Sequence, residues 1–146
     1  MPATIDLHLH TLASDGRLTP TELIQLVVQQ GLQTISITDH DSTEGLAEAY
    51  EAAKEFPHLR IIPGIEMSAD LPGNEVHVLG YFLDYHDVEF QATLTEFRRG
   101  RVDRARIMVE KLDALGMHVD WDRVQHFAGD GSVGRPHIAL ALVEAG

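Results

Sequence analysis

Thr4-Ile5-Asp6-Leu7-His8-Leu9-His10 alternates apolar and polar side chains without a break. A period of two marks an extended strand. It sets Ile5, Leu7 and Leu9 on one face and Asp6, His8 and His10 on the other. Downstream of a Ser14-Asp15-Gly16 turn, Thr19-Pro20-Thr21-Glu22 reads as a helix start. Thr19 caps it, Pro20 fits the first turn and Glu22 completes a capping box. This helix is expected to reach Gln30 and to stop at Gly31. Thr34 to Thr38 reads as a second strand, leading into Thr38-Asp39-His40-Asp41, and a second helix spans roughly Thr43 to Glu55. Arg60 to Ile65 reads as a third strand that delivers Glu66 at its end. Leu71-Pro72-Gly73-Asn74 reads as a turn, and Val76 to Leu83 as a fourth strand that begins around His77. Strands alternating with crossover helices imply an α/β fold whose first three strands are parallel. The short connection to the fourth strand leaves its direction open.

Composition narrows the function classes. The chain has 146 residues, one domain's worth, and its 44% apolar and 23% charged residues are ordinary for a globular protein. Eleven basic residues against 23 acidic ones give a formal charge of −12. A protein that coats extended duplex nucleic acid needs a basic face to displace counterions, so that class is disfavoured. A phosphate substrate stays open if metal ions supply positive charge locally. The absence of cysteine excludes disulfides and thiolate metal sites. There is no apolar run long enough for a membrane span, and a cytoplasmic enzyme is the default expectation.

Nine histidines are the compositional oddity. Residues two apart on a strand point the same way, with Cα atoms about 6.6 Å apart, so His8 and His10 can close on one divalent ion. Alone, such a pair equally suits a buried or surface pair of histidines. The combination is more specific. His40 and Glu66 stand at the ends of two further strands, His77 on a fourth, and Asp15 in the turn after the first. Ligands delivered by successive rigid elements are what a multinuclear oxygen and nitrogen site requires. The C-terminal edge of such a sheet is also where chemistry sits in α/β proteins. Asp39 and Asp41 could orient a ligating histidine or cap the following helix. His58, His86, His118 and His126 match no motif and read as surface residues.

From about Val88 the texture changes to a long helix through Leu115, with apolar positions at 90, 94, 97, 105, 108, 112 and 115. Asp120 should cap a short helix, and Arg135-Pro136 should open a last one after a glycine-rich loop. Arg101 falls where the apolar stripe should continue, so it should face inward and meet a carboxylate or a phosphate. The other basic residues of this helix, Arg98 and Arg106 among them, read as a solvated face.

His8-Leu9-His10, Ser14-Asp15-Gly16, Thr38-Asp39-His40-Asp41, Gly64-Ile65-Glu66 and His77-Val78-Leu79-Gly80-Tyr81 resemble the successive motifs of the PHP family, named for polymerase and histidinol phosphatase domains. The resemblance implies a distorted (β/α)7 barrel whose first four strands lie in residues 1–86, with a helical insert over 87–146. The arginine-rich helix and Gly134-Arg135-Pro136-His137 resemble the branch acting on nucleoside 3′,5′-bisphosphates and short 5′-phosphorylated RNA. By that resemblance, His8, His10, Asp15, His40, Glu66 and His77 would be the metal-ligating and catalytic set. They would hold two or three divalent ions (Mn, Fe or Zn), with Glu66 bridging. Arg101, Arg135 and His137 would help hold a substrate phosphate.

An ion of this kind brings the pKa of a coordinated water towards 7 and so supplies a hydroxide nucleophile at neutral pH. The expected reaction is phosphate ester hydrolysis. The alternatives are a small-metabolite phosphatase resembling histidinol phosphatase, and a non-catalytic metal-binding PHP module. The family's later ligand motifs do not occur in this sequence. The chain is therefore expected to be the N-terminal half of a domain, with autonomous activity depending on ligands supplied from elsewhere.

Overall fold

The computed structural model describes residues 4–71 and 74–146. Pro72 and Gly73, the centre of the expected turn, lie outside the described residues. The first half of the chain runs β1 (Ile5–Leu9), α1 (Pro20–Gln29), β2 (Thr34–Ile37), α2 (Glu44–Ala53), β3 (Arg60–Leu71) and β4 (Asn74–Tyr81). These strands form one sheet in the order β1-β2-β3-β4. β1, β2 and β3 pair in parallel, and β4 is antiparallel to β3.

Local chemistry sets the boundaries. The Thr19 hydroxyl accepts from the Glu22 N–H at 3.2 Å, and the Glu22 carboxylate accepts from the Thr19 N–H at 2.9 Å, which is the expected capping box. Gly31 holds φ +77° just past the helix, a conformation that glycine adopts at no steric cost. α1 buries Leu23, Ile24 and Val27 and α2 buries Leu46 and Ala49, all packed in one cluster with Ile35 and Ile37 of β2.

β3 departs from the expected strand. It continues through Glu66 to Leu71 instead of ending at Ile65, because it changes partner midway. Thr34 to Ile37 pair with Arg60 to Pro63, and from Gly64 onward the strand pairs with β4. Glu66 is therefore interior to β3, just beyond the stretch shared with β2. β4 also starts earlier and ends earlier than expected, at Asn74 and Tyr81, and Phe82 leaves the strand with φ +60°. The sheet curls: the Tyr81 hydroxyl on β4 donates to the Leu7 carbonyl on β1 at 3.0 Å.

The second half is helical: α3 (Val88–Ala114), α4 (Trp121–Ala128) and α5 (Arg135–Ala145). Asp87 and Asp120 cap α3 and α4 through their carboxylates. Ala105, Val119, Val124, Ala128, Val133, Ile138 and Ala141 form a separate buried cluster. Among the described residues, no helix is long and apolar enough to cross a membrane.

Candidate metal centre

The six expected ligands converge. His8 comes from β1, His10 from the residue after it, Asp15 from the following loop, His40 from beyond β2, Glu66 from β3 and His77 from β4. Glu66, 5% exposed, is the hub. Its Oε2 lies 2.8 Å from His8 Nε2, 3.1 Å from His10 Nε2 and 3.7 Å from His40 Nδ1, and its Oε1 lies 2.7 Å from His77 Nδ1. Asp15 stands 3.3 Å from His10 Nδ1 and 3.5 Å from His40 Nε2. The imidazoles of His8, His10, His40 and His77 follow one another at centroid spacings of 5.0, 4.8 and 4.7 Å.

Three triads result: His8, His10 and Glu66; His10, Asp15 and His40; His40, Glu66 and His77. In each, three donor atoms lie within 4.8 Å of one another, close enough to turn onto a common ion. His10, His40 and Glu66 each belong to two triads. A further observation fits an ion here. Among the described residues, buried His40 Nδ1 has no hydrogen-bond partner, which costs free energy unless a Lewis acid accepts its lone pair. The donor set of imidazole and carboxylate suits Mn, Fe and Zn.

The ionisation states agree with ligation, which requires deprotonated donors. Burial lowers the pKa of His10 against the pull of Asp15, favouring the neutral ring. Burial pushes Asp15 up, but the hydrogen bond and charge of His40, with His10 behind it, bring it down to about 2. For Glu66 burial is likewise outweighed, by the hydrogen bonds of His8 and His77 and the charges of His40 and His10, and the carboxyl sits below its ordinary value.

Among the described residues, the carboxylates flanking His40 neither bond a ligand ring nor cap α2. Asp39 is 1% exposed and touches no ligand ring through a hydrogen bond. It accepts from the Thr11 N–H and hydroxyl at 2.7 Å each and from the Ser14 hydroxyl at 2.6 Å, tying down the loop that carries Asp15. Gly16 closes that loop. A Cβ there would lie 2.4 Å from the His10 carbonyl oxygen. Asp41 accepts from Arg101 and, at 2.9 Å, from the Ser68 N–H. The α2 cap, Thr43, makes no side-chain capping bond.

Arg101 faces inward as expected, 7% exposed, and its partner is the Asp41 carboxylate. Arg98 corrects the solvated-face reading: its guanidinium is partly buried, 3.3 Å from the Asp41 carbonyl and 3.3 Å from Glu44. Arg106 is exposed and lies over the Trp121 ring at 4.4 Å. A cavity of about 320 Å³ opens from Asp15, His40 and His77 towards Arg101, Arg104 and Arg135 at the start of α5. Arg104 belongs to no motif, and its signal in the sequence is its place one helical turn from Arg101 on the same face. His137, 4% exposed, is not among the residues that line this cavity. Its Nδ1 accepts from the Gly134 N–H at 3.0 Å, and its ring also bonds the Ser14 backbone. His58, His86, His118 and His126 are exposed, as expected.

Three overlapping donor triads on a curled, half-barrel sheet define an α/β domain whose side chains can hold divalent metal. Residues 6–127 match the PHP domain, and the chain belongs to that family. It is 39% identical to the 5′-3′ exoribonuclease Rnm of Escherichia coli, over 97% of this chain and 48% of the relative. It is 37% identical to the 3′,5′-nucleoside bisphosphate phosphatase of Chromobacterium violaceum, over 99% of this chain and 50% of the relative. Among solved structures it superposes on an amidohydrolase from Chromobacterium violaceum, described with bound sulfate and no metal, with a TM-score of 0.88 at 36% identity; the match covers 99% of this chain and 51% of that one. The chain thus spans about half the length of the curated relatives it matches.

Proposed function

We propose that the protein is a metal-dependent phosphoesterase that hydrolyses nucleoside 3′,5′-bisphosphates or short 5′-phosphorylated oligoribonucleotides. The observation that carries this reading is the shared cavity, lined by Asp15, His40 and His77 of the donor triads together with three arginines. The names of the two relatives, a bisphosphate phosphatase and an exoribonuclease, support the substrate class. So does the sulfate of the Chromobacterium structure, a tetrahedral oxyanion shaped like phosphate.

His8, His10, Asp15, His40, Glu66 and His77 would hold two or three divalent ions, with Glu66 shared between sites. Such ions supply Lewis acidity, lowering the pKa of water towards 7 and neutralising phosphate charge. The chain's own residues supply the rest. Ionised Asp15 and Glu66 and neutral His10 present lone pairs at neutral pH. Arg135, which lines the cavity, offers the planar fork that suits a phosphate's paired oxygens, and Arg104 adds positive charge. His137 acts without lining the cavity, holding the first turn of α5 against the loop that carries Asp15.

The test is phosphate release from adenosine 3′,5′-bisphosphate and from a 5′-phosphorylated dinucleotide, assayed in the intact protein with and without Mn²⁺. Saturable, ion-dependent release that Glu66→Gln abolishes is the expected result. An ion-loaded protein that cleaves neither substrate would overturn the reading.

A further inference from the structure

Arg101 is buried on α3, yet its bonds run back to the sheet. Its Nε donates to Asp41 Oδ2 and its Nη2 donates to Ser68 Oγ. Neither partner is a candidate ligand, but each is close to one in the chain: Asp41 follows His40, and Ser68 lies two residues beyond Glu66. The two partners are also joined to each other, the Ser68 N–H donating to Asp41 Oδ1 at 2.9 Å. Asp41 holds φ +48°, a left-handed conformation that non-glycine residues seldom adopt and that persists only where the surroundings impose it. Its carboxylate bonds to Arg101 and to the Ser68 N–H hold it there, together with the bonds of its N–H to the Glu66 carbonyl and of its carbonyl to Arg98.

We infer that Arg101 is a positioning residue for the metal centre: by fixing Asp41 and Ser68 it sets the spacing of His40 and Glu66. This rests on reading the triads as a metal centre. Two triads contain His40, the residue next to Asp41, and depend on the clamp most; the triad of His8, His10 and Glu66 is reached only through Glu66, two residues from Ser68. The same geometry separates Arg101 from a phosphate reader. The Nε–Nη2 edge of the guanidinium, one of the edges that grips an oxyanion with two parallel bonds, is occupied by Asp41 and Ser68. The helical half of the chain thereby reaches into the ligand geometry of the sheet half.

The test compares Mn²⁺ binding to the purified protein and to its Arg101→Met, Arg101→Lys and Ser68→Ala variants, counting free Mn²⁺ by EPR, with circular dichroism as the folding check. Partners behind metal ligands typically contribute about 10- to 100-fold to metal affinity. Arg101→Met is therefore expected to weaken the Mn²⁺ sites that use His40 by about that factor and the site of His8, His10 and Glu66 less. Arg101→Lys, which keeps the charge but not the two-pronged reach, should fall between. Ser68→Ala removes one arm and leaves the buried ion pair, so it keeps the question answerable if Arg101→Met fails to fold. Exposed Arg99, paired with Glu96, supplies the control Arg99→Lys, expected to bind as the parent does.

A second readout is the affinity of metal-free protein for adenosine 3′,5′-bisphosphate, expected to stay within about twofold in Arg101→Lys, since losing one hydrogen bond to a charged phosphate would weaken binding far more than that. Unchanged Mn²⁺ binding in the folded Arg101 and Ser68 variants overturns the inference. So does a large loss of nucleotide affinity with Mn²⁺ binding intact. If the parent itself binds no Mn²⁺, the metal reading fails first, and the two failures are distinct.

Discussion

His40 and Glu66 face each other across an isolated parallel bridge just beyond the end of β2. The Glu66 N–H donates to the Asp39 carbonyl at 3.2 Å, and the Asp41 N–H donates to the Glu66 carbonyl at 3.0 Å. Two candidate ligands from different elements are thus set by one backbone ladder, with side-chain donors 3.7 Å apart. A mobile loop could not hold that spacing. Multinuclear sites need such rigidity because each shared ligand must satisfy two ions at once.

Sharing makes the ligands unequal. Glu66 serves two triads and His8 serves one. Glu66→Gln keeps the shape but removes the charge, and should weaken divalent ion binding at both triads. His8→Ala should weaken one alone. Calorimetric Mn²⁺ titration reads the difference directly, as fewer equivalents bound in Glu66→Gln than in His8→Ala. Equal losses would show that Glu66 is not shared.

Asp39 predicts an effect on stability. It is buried and accepts three hydrogen bonds from Thr11 and Ser14. Bonds to a charged acceptor contribute about 1.5–3 kcal/mol each, though not additively. Asp39→Ala should therefore cost about 3 kcal/mol in urea unfolding and leave the Thr11 N–H buried without a partner. Asp39→Asn retains an acceptor oxygen for the Thr11 N–H and should cost less. A surface-like loss below about 0.5 kcal/mol in Asp39→Ala would show that the loop holds itself.

Acid should act in part through His137, as it does through buried His10. Burial lowers the pKa of His137, opposed by the charge of Asp15 and aided by that of Arg101. The folded state then prefers the neutral ring more than the unfolded chain does. The unfolded state takes up the proton first as pH falls, so folding free energy declines from about pH 6.5 downward. Nδ1 cannot accept from the Gly134 N–H once it is protonated. His137→Gln should flatten the stability profile between pH 7.5 and 5.5, measured by denaturant titration at each pH. A slope as steep as the parent's would exclude His137 as one of its sources.

Much of this was legible locally. The alternation of residues 4–10 and the capping box at Thr19 are written in adjacent residues and appear as read. Arg101 was legible as an interruption of an apolar stripe, but its partner was not, because Asp41 lies 60 residues away. Glu66 was placed at a strand end because a change of partner within one strand leaves no mark in local periodicity. Arg98 stands four residues after Leu94 and three before Arg101, so helical spacing already sets it at the edge of the buried face. Its partners, the Asp41 carbonyl and Glu44, are tertiary and carry no local signal. The left-handed Asp41 carried no signal because the position is not a glycine.

The remaining expectation concerns phosphate recognition. Arg135 lines the cavity shared with Asp15, His40 and His77, whereas Arg106 is exposed and lies over Trp121. Lysine keeps the charge at either position and loses the planar fork. Arg135→Lys should lower kcat/KM for adenosine 3′,5′-bisphosphate by about tenfold, the equivalent of roughly 1.4 kcal/mol, with urea stability nearly unchanged. Arg106→Lys trades one cation over an indole for another at an exposed site, where such a contact contributes only about 0.5–1 kcal/mol, and it should leave kcat/KM at the parent value. Parallel steady-state assays on both variants decide the matter. Equal rates in the two would mean that the substrate phosphate is held by the ions and by Arg104, without Arg135.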